Sequence, residues 1–378
     1  MSDEIVMLRG PERVRRRPAV IFGCDDVIGA MTALKMLLFL FAEEGSKGHS
    51  HLLAVTQYQD GSMEIRSSDR GIFLGSPNSS DDTVWKELFC ELYTGPLYKD
   101  GASARCIFEE PSDQQGEYAD NLELYSVQCA SEYMNVSVVR DGFRQSLHFE
   151  KGYNADGISR NSCTDPSGTC IRFKLDPEVF SEIVLPKQQI ANVLQELALQ
   201  IPGMKTVFRC DGPQGPEEVA FHYPKGIADF LQEQNRSKQA SPVYSKERSA
   251  RGQDRYNSPC YFATVSSAVC FAKNAGFIKC YHNLKEIAHG GLHCDGALRS
   301  IAQRLEWMLE LKISQESLRK HLQLLIVTNA EGSDWYHDSQ SGLQRIFIRD
   351  LTQDTIGDDF QHFVKQNKEF LYELFSVD

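Results

Sequence analysis

The sequence predicts an α+β protein of two domains, and three observations carry that expectation. At 378 residues the chain exceeds what one hydrophobic core usually organises. Segments of strand character recur between segments with apolar residues at helical spacing along its whole length. Past the middle, residues 235–257 form a polar run with six Lys or Arg against two acids and no apolar periodicity, which reads as a basic, solvated linker. These features predict one domain over 1–225 and a smaller one over 226–378, the linker lying early in the second.

The elements follow in order. Leu8 to Arg17 reads as a basic turn, followed by a short apolar strand that stops at Gly23. Ile28 to Phe41 is apolar on every face, as in a helix buried within a sizeable domain. Leu52–Tyr58 and Met63–Arg66 form a strand pair across Asp60-Gly61. Trp85, Leu88, Phe89 and Leu92 give a short helix over 84–93, and residues 94–120 read as loop. A helix over 122–133 precedes two strands, 134–140 and 143–150, joined by Asp141-Gly142. A second loop, 153–167, leads into the strand Gly168–Phe173. Residues 186–201 read as a helix, 207–210 and 219–223 as a hairpin, and 226–233 as a short helix. Beyond the basic run come strands over 259–272 and 276–281, a helix over 297–311, a strand over 322–328, and a closing helix over about 359–375.

Composition narrows the function. A net charge of −12 repels nucleic acid from the surface as a whole, so DNA contact would need a local patch such as the basic run, or a partner. Eleven cysteines without a Cys-x-x-Cys pair argue against zinc ribbons and thioredoxin-like sites and for reduced thiols in a cytoplasmic protein. Those at 260, 270 and 280 read as buried strand thiols. No leader opens the sequence, and its longest apolar run, Leu34–Ala42 broken only by Lys35, is too short to span a bilayer. His282, His289 and His293 complete no known metal set, so no metal site is expected, and no Gly-x-Ser-x-Gly nucleophile motif occurs.

The order Val14–Gly23, Met36–Glu44 and Ser67–Ile72, with Gly168-Thr169-Cys170-Ile171-Arg172-Phe173 and His289-Gly290-Gly291-Leu292-His293 further on, resembles the gyrase B family of type II DNA topoisomerase ATPase subunits, in the GHKL group. The resemblance implies a two-layer α/β sandwich of GHKL (Bergerat) ATPase type followed by a smaller α/β transducer domain. Val14–Gly23 is similar to the family's Val-Arg-Lys-Arg-Pro-Gly-Met-Tyr-Ile-Gly. Met36–Glu44 falls on Glu-x-x-Asp-Asn-x-x-Asp-Glu, and Ser67–Ile72 on Asp-Asp-Gly-Arg-Gly-Ile.

The spacing is kept while the chemistry is altered. The family's general base is the Glu at Met36, and its magnesium ligand lies in the Asp-Asn pair at Phe39-Leu40; neither thioether nor hydrocarbon can take a proton or bind a hard cation. The adenine-binding Asp is Ser67, Asp69 stands where the motif has Gly, and the strand Thr is kept as Thr169. The glycine run that ends the family's ATP lid is replaced by Tyr118–Leu124, and the phosphate-binding Lys is missing near Ser339–Gly342. Met36, Phe39 and Leu40 are expected to fill the nucleotide cavity. Glu44 and Arg70 keep a structural ion pair.

By this reading there is no catalytic residue and no cofactor, the family's ATP and magnesium being lost. The chain acts as a scaffold or regulatory module for a protein partner such as a topoisomerase subunit, with no membrane contact. With about six residues ahead of the first motif, strong arm exchange between copies is not expected, and the family's DNA-cleaving parts have no counterpart. The alternative is a functional ATP-binding topoisomerase subunit with relocated or partner-supplied catalytic groups; a third reading gives the basic run a binding role of its own.

Overall fold

Pro11 and Pro18 decide the entrance to the chain. In the computed structural model, the stretch expected as turn and strand is two short helices, α1 (Glu12–Arg15) and α2 (Pro18–Phe22). Proline at the first helical position of α2 presets φ and loses no hydrogen bond, and Gly23, at φ 84°, stops it. Among the described residues no strand pairs with the segment, and its apolar residues go separate ways: Phe22 packs on Phe180 at 5.2 Å between ring centroids, while Val20 stays exposed. Arg15 ties α1 down by donating from Nη2 to Asp176 Oδ2 at 2.6 Å and from Nη1 to the Cys129 carbonyl at 3.1 Å.

The structure describes residues 8–78, 83–91, 107–108, 122–212, 215–236, 238–330 and 343–376. It divides into two units, Met1–His222 and Tyr223–Asp378. In the first, α3 (Val27–Ser46) opens at Asp26, whose carboxylate accepts from the Ile28 and Gly29 N–H groups, satisfying two donors that a helix start leaves open. Leu34, Leu37, Leu38, Phe41 and Ala42 of this helix are fully buried.

Its strands are β1 (Leu52–Gln57), β2 (Met63–Ser67), β3 (Ser131–Arg140), β4 (Phe143–Glu150), β5 (Ile158–Ser162), β6 (Gly168–Leu175), β7 (Lys205–Gly212) and β8 (Gly215–His222). They form one sheet in the order β5-β4-β3-β6-β2-β1-β7-β8. Every neighbouring pair is antiparallel except β1 with β7, which run parallel from Leu52↔Lys205 to Gln57↔Cys210. Burial alternates along β3, β4 and β6, so one sheet face is packed and the other is open. α3, α5 (Leu122–Cys129) and α6 (Lys187–Gln200) supply the helical layer, and α4 (Thr83–Phe89) packs against α5. Asp141 and Gly142, both at positive φ, make the tight turn between β3 and β4. The loop expected over 153–167 contains β5; its largely exposed, polar residues at the sheet edge carry no alternation to announce it.

The second unit has a five-stranded sheet in the order β12-β11-β13-β10-β9. Its strands are β9 (Tyr244–Gly252), β10 (Tyr261–Phe271), β11 (Phe277–His282), β12 (Lys285–Glu286) and β13 (Leu322–Ala330). The expected linker is thereby corrected: most of its second half is β9, paired antiparallel with β10 from Val269↔Tyr244 to Tyr261↔Gly252. Its charges project from an edge strand, where Lys and Arg discourage further pairing. Its one deeply anchored residue, Tyr244, donates its hydroxyl to the Thr355 carbonyl at 2.7 Å. Cys270 and Cys280 are buried, whereas Cys260, expected with them, is exposed just ahead of β10.

Helices α7 (Ile227–Gln234), α8 (Leu292–Leu309), α9 (Gln315–His321), α10 (Ile346–Thr355), α11 (Asp358–Gln366) and α12 (Lys368–Phe375) complete the unit. The closing helix is two helices, broken at Asn367, whose side-chain amide donates to the Phe363 carbonyl at 2.8 Å. Among the described residues, no helix is long and apolar enough to cross a membrane.

Candidate functional site

Helix α3 turns two kinds of surface toward its neighbours. Its arc through Leu34, Leu37, Leu38 and Phe41 is sealed, Phe41 meeting Phe108 edge-on at 6.2 Å. Met36, Phe39 and Leu40 lie on the opposite arc and are only half-buried. They are thus less buried than expected. One helix cannot seat all sides in a single core, so these three present a partly exposed apolar surface and gain a fraction of the roughly 1.5–3 kcal/mol that full burial of such a side chain gives.

The carboxylates of α3 are both committed to cations. Glu43 accepts from Lys47 at 2.8 Å one turn on. Glu44, buried to 1% exposure, receives a two-point bond from Arg70: Nη2 to Oε1 at 2.8 Å and Nε to Oε2 at 3.0 Å. The pairing expected of Glu44 and Arg70 is thus present, and it bolts the last turns of α3 to the turn after β2.

That turn is built around Asp69. β2 ends at Ser67, which sits opposite Thr169 of β6. The approach is close: a Cβ on Gly168 would lie 2.6 Å from the Ser67 carbonyl oxygen, so only glycine fits there. Ser67 itself faces Ser50, the hydroxyls 3.1 Å apart. Asp69, 3% exposed, folds its side chain back so that Oδ1 accepts from the Gly71 N–H at 2.7 Å and from the Thr169 hydroxyl at 2.9 Å. Thr169 in turn accepts from the Ile72 N–H at 3.2 Å. Gly71 holds φ 82° with the Val139 carbonyl where a Cβ would stand, 2.8 Å away. Arg140 closes the arrangement, donating from Nη1 to the carbonyls of Gly71 at 3.0 Å and Phe108 at 2.6 Å.

Among the described residues, Asp69 Oδ2 is buried with no hydrogen-bond partner. Burial pushes the Asp69 carboxyl up to about 6, against the opposing pull of the Gly71 N–H and the Thr169 hydroxyl. An acceptor oxygen held in this state favours a proton or an incoming N–H donor. Sequence reasoning singled out Asp69 as an altered motif position without foreseeing that it would engage Thr169; an acid at a position reserved for glycine was the available signal.

The structure thus brings Ser67, Asp69, Thr169, Glu44 and Arg70 together, and places Met36, Phe39 and Leu40 on α3 without an oxygen among them. The three α3 side chains offer nothing to a hard divalent cation, which takes carboxylate, carbonyl or water oxygens. The positions expected for the lid and for the phosphate-binding Lys, 94–120 and 339–342, lie outside the described residues apart from Ile107 and Phe108. Of the histidines considered as metal ligands, His282 hydrogen-bonds through Nδ1 to the Thr328 hydroxyl at 2.8 Å, and His293 is fully buried. Among the described residues, no cluster of three or more His, Cys, Asp or Glu is arranged to hold a metal.

No family model matches the chain. Similarity to individual proteins is nevertheless extensive. The DNA gyrase B-subunit of Chlamydia muridarum is 23% identical over 384 residues, covering 97% of this chain and 46% of that protein. The DNA gyrase B-subunit of Thermotoga maritima is 27% identical over 239 residues, covering 63% of this chain and 36% of that protein. The chain thus spans less than half the length of these relatives. Among solved structures, the 43K ATPase domain of Thermus thermophilus gyrase B in complex with an aminocoumarin superposes with a TM-score of 0.71 at 19% identity, covering 97% of this chain and 93% of that one. The B-subunit of the DNA gyrase from Myxococcus xanthus gives 0.70 at 15% identity, covering 96% and 99%. The two units therefore have the fold of a gyrase B-type ATPase domain and transducer.

Proposed function

Starting from that likeness, we propose that this chain is a gyrase B-type ATPase–transducer module that has lost ATP binding and hydrolysis and works through protein contacts, as a scaffold or regulator acting on a topoisomerase. The observation that carries the reading is the state of α3. Its two carboxylates are tied to Lys47 and Arg70, and the positions where the resemblance puts a base and a metal ligand hold Met36, Phe39 and Leu40. Without a base, water activation forgoes on the order of 10²–10⁴ in rate. Without a magnesium ligand, a triphosphate keeps its charge uncompensated. The side chain of Asp69 further supports the reading, because it takes up the Thr169 hydroxyl that the resemblance assigns to the adenine pocket.

Calorimetry of the full chain with magnesium-ATP and with a nonhydrolysable analogue tests this directly, alongside an ATPase assay with DNA. No saturable heat and no turnover are expected; saturable binding overturns the proposal. If silence is found, pull-down from the native cell followed by mass spectrometry should return a topoisomerase subunit. Recovery of only unrelated proteins rejects that choice of partner.

A second reading, a functional nucleotide-binding subunit with relocated groups, is favoured by one observation, the buried and unpartnered Oδ2 of Asp69. That oxygen lies two residues beyond Ser67 and could accept from the amino group of a base. Metal-independent adenosine binding that disappears in Asp69→Asn would establish the second reading over the first.

A further inference from the structure

We propose that Cys280 and Cys294 of the second unit form a thiol pair that a peroxide oxidises to an intrachain disulfide, making the start of helix α8 a modification site. Both line one cavity of about 210 Å³, whose wall also carries Lys279, Asp295 and Arg319. Cys280 lies in β11 at 3% exposure, and Cys294 lies in the first turn of α8 at 6%. The chain between them doubles back: the Ile287 N–H donates to the Cys280 carbonyl at 2.8 Å. Gly290 and Gly291, at φ 64° and 145°, then turn it into α8. A Cβ on Gly290 would lie 3.7 Å from Cys294 Sγ, so that sulfur is held against the turn.

The two thiols also differ in a useful way. The Cys294 side chain beside it, with burial adding to the effect, holds Cys280 protonated. The neighbouring Cys280 side chain, with Arg319 nearby, lowers the pKa of Cys294 in spite of burial and Asp295. A helix start favours a thiolate at the same place. Cys294 is therefore the attacking sulfur and Cys280 the resolving one.

The chemistry balances with hydrogen peroxide as oxidant. The Cys294 thiolate attacks one peroxide oxygen, the O–O bond breaks, and hydroxide leaves and takes up a proton, giving a sulfenic acid and one water. Cys280 then loses its proton and attacks that sulfur; the S–S bond forms, the S–O bond breaks, and a second water leaves. Two electrons pass from the thiol pair to the peroxide.

The test treats the full chain with mild peroxide, denatures it, alkylates the remaining thiols with a maleimide and maps the peptides without reduction. Loss of labelling at Cys280 and Cys294 together, with recovery of one crosslinked peptide joining them, is expected. In Cys280→Ser the reaction should stop at the sulfenic acid, trapped by a dimedone probe on Cys294; in Cys294→Ser, Cys280 should stay unmodified. Thermal melts of both variants check that the fold is retained. Full alkylation of both thiols after peroxide, or crosslinks formed instead through the exposed Cys90 and Cys260, overturns the proposal.

Discussion

Replacing Asp69 with asparagine should change how stability depends on pH, and the size of the change follows from the structure. In the folded chain the Asp69 carboxyl is pushed from its ordinary value of 3.8 up to about 6. A group raised in this way binds its proton more tightly when folded, so its contribution to stability is fully present below the unfolded value and is lost as pH rises through the folded one. Two pH units at about 1.4 kcal/mol each give a loss of about 3 kcal/mol. The amide keeps a carbonyl oxygen for the Gly71 N–H and the Thr169 hydroxyl and carries no charge at any pH. Urea denaturation of both proteins at a series of pH values gives the difference in unfolding free energy, variant minus wild type. Any constant offset from altered contacts cancels along the series. The difference should rise by about 3 kcal/mol between roughly pH 4 and pH 6 and stay level above. A difference independent of pH refutes the claim that Asp69 is a destabilised buried carboxylate.

Other expectations concern its neighbours. Thr169→Val conserves shape and removes the hydroxyl that serves Asp69 and Ile72; about 1–3 kcal/mol of stability should be lost in the same denaturation assay. Arg70→Ala strands Glu44 in the interior, whereas Glu44→Ala leaves a cation that is 32% exposed. The first should therefore cost about 3 kcal/mol and the second clearly less. Gly168→Ala forces a methyl into the Ser67 carbonyl and should lower the melting midpoint, at a cost of about 1–3 kcal/mol. Met36→Ala, on the half-exposed arc of α3, should cost less than Leu37→Ala on the sealed one; equal losses near 2–5 kcal/mol would show the two arcs to be equally packed.

Much of the first unit was legible because its signals are local. The long apolar run of α3, broken only by Thr32 and Lys35, the Asp141-Gly142 turn and the alternating strands around it name their own conformations. Glu44 and Arg70 could be paired through the resemblance alone. What sequence reasoning missed depends on tertiary context. The entrance helices read as turn and strand because the apolar residues of Pro18–Phe22 give no period in so short a run. β9 read as linker because an edge strand with charged side chains on a half-open sheet has little alternation to show. Met36, Phe39 and Leu40 were expected to be buried because hydrophobicity reports affinity for a core without saying which arc of a helix reaches it. The capture of Thr169 by Asp69 is geometric, and no residue spacing discloses which way a carboxylate folds.

The parallel seam between β1 and β7 has a consequence for how the first unit is made. Each antiparallel hairpin, such as β3 with β4, can zip up as soon as it emerges from the ribosome. β1, by contrast, sits in mid-sheet with one long edge bare until the segment beginning at Lys205 arrives. Joining stretches so distant in sequence is slow, since the intervening chain must first be gathered in, and a bare hydrophobic edge invites pairing with other nascent chains in the meantime. The vulnerable interval in this protein's life is thus the passage between synthesis of Gln57 and synthesis of Gly212, when a chaperone would do the most good.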